Sequence, residues 1–179
     1  MSFNIRNKDR SEDAMEFFKR KRLQSAAVLD NIRSAFNAGN MMRTADAACI
    51  GKLFLCGYTP YPSNPKLEKT ALGAEKYIPW EYYPSTLELI DRLKEEGYFV
   101  IAMETADESK SLYDIDFPEK TAFIFGNETE GLSSEILQKS DMAAELPAFG
   151  MKNSLNVSNA FAITSYEHLR RYRHNLKHE

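Results

Sequence analysis

Cysteine is scarce in this sequence: Cys49 and Cys56 are the only two among 179 residues. Without a third or fourth sulfur there is no zinc-type spacing and no disulfide framework. The pair therefore reads as reduced, buried thiols of a cytoplasmic protein. No metal site is expected. The three histidines, His168, His174 and His178, stand near a helical C-terminus, where they favour the dipole over metal binding. No apolar run approaches the length of a membrane span, which excludes a helical membrane protein. The first residues (Asn4, Arg6, Lys8, Asp9, Arg10) are polar and lack the apolar core of a secretory signal. A basic excess is missing too: the net charge is −3, which argues mildly against nucleic acid. That argument weakens by position, because Lys19, Arg20, Lys21 and Arg22 form one basic cluster. Arg170, Arg171, Arg173, His174, Lys177 and His178 form another, while acids gather between Glu81 and Glu108. The plain reading of both clusters is a solvated helix face.

What is present is an ordinary globular composition, enough for one domain with a real core. Strand-like apolar runs cover Ala26–Ile32, Lys52–Gly57, Tyr98–Glu104, Thr121–Gly126 and Ala143–Pro147, with a weaker one at Tyr77–Tyr82. Helical patterns cover Asn37–Cys49, Ser85–Glu96, Ser133–Lys139 and Leu155–Arg173. In the first of these Met41, Ala45 and Ala48 share a face, as do Ala38, Met42 and Cys49. Such alternation predicts an α/β domain with a mainly parallel sheet covered on both sides by helices. Ser11–Leu23 reads as an amphipathic helix ahead of it, so residues 1–25 form an extension and 26–179 the domain. Tyr58–Pro65 holds three prolines and reads as a loop. There is no internal repeat and no linker marking a second domain.

Three segments stand out at the ends of these runs. In Asn31–Gly51 a strand turns through Asn37-Ala38-Gly39 into a helix carrying Arg43. Its bland reading makes Asn37 a helix cap and Arg43 a surface charge. In Thr121–Leu132 an apolar strand runs into Gly126, then Asn127, Glu128, Thr129 and Glu130, then Gly131. Parallel α/β sheets place ligands beyond such carboxyl ends, although a turn with solvated acids would look alike. In Leu146–Ser158 a loop leads through Ser154, Asn156 and Ser158 into the last helix, with Ser154 a candidate cap.

Taken together and in order, these segments resemble the three signature motifs of SpoU-type RNA 2′-O-methyltransferases of the SPOUT superfamily. The matching residues are N-x-G-x-x-x-R-T at Asn37–Thr44, F-G-N-E-x-x-G-L at Phe125–Leu132 and S-L-N-V-S at Ser154–Ser158. The resemblance runs from about Ala26 to Arg173. Asn40 and Asn159 depart from the residues usual in the family, but neither is a signature side chain. The resemblance implies a C-terminal deep trefoil knot, a homodimer, and S-adenosylmethionine bound by the knot loops. It implies that Thr105, Gly126, Asn127, Glu128, Gly131, Leu146, Ser154, Leu155 and Asn156 lie around the cofactor, the glycines allowing its close approach. Arg43, Asn37, Glu128, Asn156 and Ser154 would be catalytic, with Asn37 and Glu128 holding Arg43 or contacting RNA. A guanidinium stays protonated near neutrality, so Arg43 suits stabilising charge on the attacking ribose oxygen rather than acting as a base.

The RNA, a tRNA or rRNA, would meet Lys19, Arg20, Lys21, Arg22, Arg33 and the basic tail, with Lys66 and Lys69 reaching it from a loop. Trp80, Tyr82 and Tyr83 suit base stacking, though aromatics beside a strand are more often core. A Rossmann-type methyltransferase or a nucleotide-binding oxidoreductase needs a G-x-G turn after the first strand, and only Gly39 lies between Ile32 and Gly51. From another class, a catalytically silent RNA-binding or assembly protein would keep the fold. The full set Asn37, Arg43, Glu128, Ser154 and Asn156 favours an enzyme.

Overall fold

The computed structural model describes residues 22–176. The expected helix at Ser11–Leu23 and the cations Lys19, Arg20, Lys21 and Lys177 lie almost wholly outside them. Seven strands form one sheet: β1 (Ser25–Asp30), β2 (Lys52–Cys56), β3 (Trp80–Tyr83), β4 (Phe99–Met103), β5 (Lys110–Ser111), β6 (Thr121–Phe125) and β7 (Met142–Glu145). Their spatial order is β3-β2-β1-β6-β4-β7-β5, and every pairing is parallel. The first strand in sequence thus lies in the interior of the sheet, between β2 and β6.

Helices cover both faces, and the strand sequences dictate which residue meets which. Side chains alternate across a strand. Ala27 and Leu29 of β1, Leu53 and Leu55 of β2, and Phe123 and Phe125 of β6 enter one core. That core packs on α1 (Ala35–Ala47), α2 (Pro65–Ala71) and α5 (Val157–Tyr172). Their neighbours Ala26, Val28, Phe54, Cys56, Ala122 and Ile124 enter the other, under α3 (Thr86–Glu95) and α4 (Ser134–Lys139). Burial on both faces is why these strands read as unbroken apolar runs. Helix α1 docks on α2 at Gly39, where a Cβ would stand 2.0 Å from Thr70 Oγ1 and 2.4 Å from the Leu67 carbonyl oxygen. Only a glycine permits that approach.

Several expectations need correcting. Helix α1 starts at Ala35 with Ser34 as its cap, whose Oγ accepts the Asn37 N–H at 3.2 Å. Asn37 is therefore inside the first turn and its side chain is spared from capping. The last helix is capped by Asn156 rather than Ser154. Lys66 and Lys69 stand on helix α2, which Asn64 caps and Pro65 opens, since proline fits a helix's first position without losing a bond. Strand β3 begins at Trp80, and the two-residue β5 had no apolar signature to announce it.

His168 is fully buried and stacks on Phe117 at 6.1 Å, with Phe123 and Tyr172 beside it. It is a core residue rather than a partner of the helix dipole. Its Nε2 lies 2.9 Å from the Glu119 carbonyl oxygen, and Nδ1 has no hydrogen-bond partner among the described residues.

Candidate functional site

The three singled-out segments follow β1, β6 and β7, and parallel pairing brings strand ends together at one rim. The β6 loop folds back on itself through Gly126 and Gly131. A Cβ on Gly126 would stand 2.6 Å from the Gly131 carbonyl carbon and 2.7 Å from the Leu132 nitrogen. Gly131, at φ +67, sits against the Glu104 carboxylate, where a Cβ would be 2.5 Å from Oε2. These glycines admit the protein's own backbone and Glu104, not primarily a ligand. Glu104 at the end of β4 accepts the Leu132 N–H at 2.9 Å and the Thr105 N–H at 3.0 Å. Sequence reasoning missed this acid, although a lone carboxylate directly after an apolar strand was a visible signal.

Asn127 is 5 % exposed, and its side chain is spent on structure. Its Oδ1 accepts the N–H groups of Thr129 at 2.7 Å and Glu130 at 3.1 Å, and its Nδ2 donates to the Asn31 carbonyl at 3.0 Å and to the Tyr58 hydroxyl. The donors and acceptors of the Asn127 side chain are thus all engaged within the protein. Its role is to shape the loop that presents Glu128.

Glu128 reaches away from that loop to the start of α1. One oxygen accepts the Arg33 N–H at 3.0 Å; the other accepts the Ser34 N–H at 3.2 Å and the Asn37 amide at 2.7 Å. Partial desolvation opposes its ionisation. The donors Arg33, Asn37 and Ser34 outweigh that and hold the carboxyl below its ordinary value, as a helix N-terminus also favours. Asn37 in turn accepts the Asn156 amide at 3.4 Å, and Asn156 Oδ1 accepts the backbone N–H and hydroxyl of Ser158 at 2.9 and 2.7 Å. The line Glu128–Asn37–Asn156 thus joins the three segments across 91 and 119 residues of sequence.

Arg43 stands apart from this line. It is exposed on α1 with Phe36, Asn40 and Ala47 on the same side, about 9 Å along the helix from Asn37. It makes no ion pair or hydrogen bond with a described residue, so Glu128 holds the helix that carries Arg43 rather than its guanidinium. Thr105, Ser154 and Leu155 are exposed and Leu146 is half-buried against the core. From residue 147 to 155 no backbone N–H or C=O bonds another described residue, and Phe149 and Met151 are almost fully solvent-facing.

Of the expected RNA contacts, Arg33, Lys66 and Lys69 are exposed. Arg22 is not available: it pairs with Asp46 at 2.9 Å and donates to the carbonyls of Ile50 and Tyr77. Arg171 is likewise tied down, by Glu167 and the Ile115 and Leu112 carbonyls, and Arg170 pairs with Glu167. Arg22 and Arg171 fasten elements together, which a run of basic letters does not reveal. Among the described residues no group of His, Cys, Asp and Glu is arranged to hold a metal, and no helix is long and apolar enough to cross a membrane.

The fold is that of a parallel α/β domain with three tied loops at its carboxyl rim, and comparison with known proteins names its family. Residues 24–166 match the model of the SpoU rRNA Methylase family, and the chain belongs to that family. It is 31% identical over 152 residues to the tRNA (guanosine(18)-2′-O)-methyltransferase of Thermus thermophilus, covering 85% of this chain and 77% of the relative. Against the enzyme of the same name from Aquifex aeolicus the identity is 29%, over 85% of this chain and 72% of the relative. The solved TrmH/SpoU tRNA modifying enzyme of A. aeolicus superposes with a TM-score of 0.80 at 25% identity, over 90% of this chain and 82% of that one. The AdoMet-bound rRNA methyltransferase of Sinorhizobium meliloti gives 0.77 at 27% identity over 86% of this chain, which spans 61% of that larger protein.

Proposed function

We propose that this protein transfers the methyl group of S-adenosylmethionine to a ribose 2′-hydroxyl of tRNA or rRNA. The observation that carries the reading is the line Glu128–Asn37–Asn156, which binds three distant segments into one unit and leaves Arg43 exposed beside it. The residues suit the cofactor. The run 147–155 offers a series of backbone donors and acceptors with no partner among the described residues, next to the half-buried Leu146. Such groups match the adenine edge and the amino-acid end of S-adenosylmethionine, with Thr105, Ser154, Leu155 and Asn156 as the flanking contacts and Gly126 and Gly131 shaping the wall.

When bound, the cofactor supplies an electrophilic methyl on a sulfonium, and the protein supplies alignment and electrostatics. A ribose 2′-oxygen accepting that methyl would develop negative charge as its proton leaves. Arg43 remains a cation throughout, so its part is to stabilise the negative charge growing on that oxygen, while a phosphate of the RNA takes the proton. Glu128, Asn37 and Asn156 fix the position of α1 and hence of Arg43. Ser154 borders the cofactor at the helix entrance.

The reading extends to the assembly. Phe36, Ile163 and Tyr166 are large apolar or aromatic residues left 38–52% exposed on α1 and α5, helices that pack against each other, and a second copy of the chain would cover them. A trefoil knot fits the strand order, in which β6 lies between the earlier β1 and β4 and the chain then returns from β7 to place α5 on α1. Arg33, Lys66, Lys69 and the cluster Lys19–Lys21 are the RNA contacts, with the residues before Arg22 an extension of the catalytic domain, in a protein working on cytoplasmic RNA.

The test is transfer of labelled methyl from S-adenosylmethionine to RNA lacking the native modification, separated into tRNA and rRNA. A 2′-O-methylated nucleoside in one fraction, lost with Arg43→Ala, is expected. Absence of transfer to both fractions by a protein that binds neither cofactor nor RNA would overturn the reading.

A further inference from the structure

We infer that Tyr61, Trp80 and Tyr82 form a stacking platform for an unpaired base of the RNA, beside the nucleotide that receives the methyl group. The inference rests on the methyltransferase reading above and adds a site that none of its motifs contains. Trp80 and Tyr82 are two residues apart on β3 and so share one side of the strand. Tyr61, from the loop after β2, lies on them: its ring centroid is 6.5 Å from Trp80 at 21° between planes and 5.4 Å from Tyr82 at 53°. Strand β3 is the sheet edge, paired only with β2. Tyr61 and Tyr82 remain 48% and 43% exposed, and neither hydroxyl bonds a described residue. Trp80 backs the cluster, half-buried against the core, while rings left as exposed as Tyr61 and Tyr82, with untied hydroxyls, are good surfaces for a nucleobase, whose flat face stacks whatever its sequence.

Charge points to the same occupant. Helix α2 starts beside the platform, the Asn64 N–H donating to the Tyr61 carbonyl at 3.2 Å. It carries Lys66 and Lys69, both exposed and neither in an ion pair with a described residue. The acid nearest the rings in sequence, Glu81, is neutralised by Lys52 at 2.6 Å and Arg92 at 2.9 Å. The far end of α2 meets α1: Thr70 Oγ1 donates to the Phe36 carbonyl at 3.3 Å. One seven-residue helix, about 10 Å long, therefore connects the platform to the helix of Arg43. Two lysines stand ready for phosphates on the way.

Trp80 is the sole tryptophan of the chain, so its fluorescence reports on the platform directly. Unmodified RNA from the fraction that accepts methyl is titrated into the protein, and Kd, KM and kcat are measured for Tyr61→Ala, Tyr82→Ala and the two Tyr→Phe variants. The proposal expects RNA to quench Trp80 in the wild type. It expects each alanine to raise Kd and KM about tenfold with kcat at saturating RNA and cofactor affinity unchanged. The phenylalanine variants, which keep the stacking face, should stay near wild type. A double alanine variant with wild-type Kd and KM overturns the platform while leaving the methyltransferase reading intact. So does a loss accompanied by a change of oligomeric state, which would make this face an interface between copies. A wild-type protein that neither binds nor methylates RNA removes the reading and the platform together.

Discussion

Arg43 offers the sharpest prediction at the scale of single residues. Arg43→Lys preserves the charge but replaces a planar fork with a point charge on a flexible stem. We expect turnover to fall about a hundredfold or more, the scale of losing one aimed transition-state contact, with S-adenosylmethionine affinity retained; single-turnover kinetics beside cofactor titration would check it. A near-normal rate would remove Arg43 from the chemistry. Glu128 acts at one remove. Glu128→Ala strips three acceptor contacts from the start of α1, a loss comparable to losing a cap, about 1 kcal/mol, read as a lower melting temperature with a parallel loss of kcat. His168 gives a pH signature. Burial pushes its pKa below the ordinary value, against the opposing pull of the Glu119 carbonyl. Between the folded and unfolded values the unfolded chain binds the extra proton, so stability is complete above about pH 6.5 and declines as pH falls below it. Denaturant midpoints from pH 8 to 5 should show that decline, flattened in His168→Gln. Cys56, whose thiol burial pushes up to about 12, remains a neutral core group throughout that range.

The β6 loop shows what a whole element contributes. Gly126→Ala would drive a methyl into the Gly131–Leu132 backbone, and backbone cannot step aside as a flexible side chain can. A cost of about 1–3 kcal/mol is expected, together with lost transfer activity, whereas Gly150→Ala, with nothing near its Cβ position, should cost far less; thermal melts of the pair decide it. Elements also show why some features were legible in the sequence and others not. The central strands were readable because two-sided burial writes itself as an apolar run, and α3 because Ser85 caps a strongly two-faced pattern. Ser34 was passed over because Asn37, three residues on, is an equally good capping letter, and only the fold shows it turned toward Glu128. The resemblance singled out Asn37, Glu128 and Asn156 together, but their mutual bonds span most of the chain and have no local signature. Arg22 and Arg171 failed in the opposite direction: a basic cluster looks the same whether its members face water or clamp carbonyls.

For the molecule as a whole, the exposed faces of α1 and α5 predict association. Sedimentation of the wild type should give twice the mass of the chain, and Ile163→Asp should give a folded species of half that size. Retention of the larger species would place the copy-to-copy contact elsewhere. The sheet order carries one more consequence, for the chain while it is being made. Strand β4 pairs only with β6 and β7, both synthesised after it, and β1 lacks one neighbour until β6 emerges. A polypeptide halted on the ribosome before residue 121 therefore holds a three-stranded fragment with an open apolar edge, and two further strands, β4 and β5, with nothing to join. Such a nascent product lacks Glu128 and Asn156, so the line that ties the three loops cannot form until the end of the chain is made.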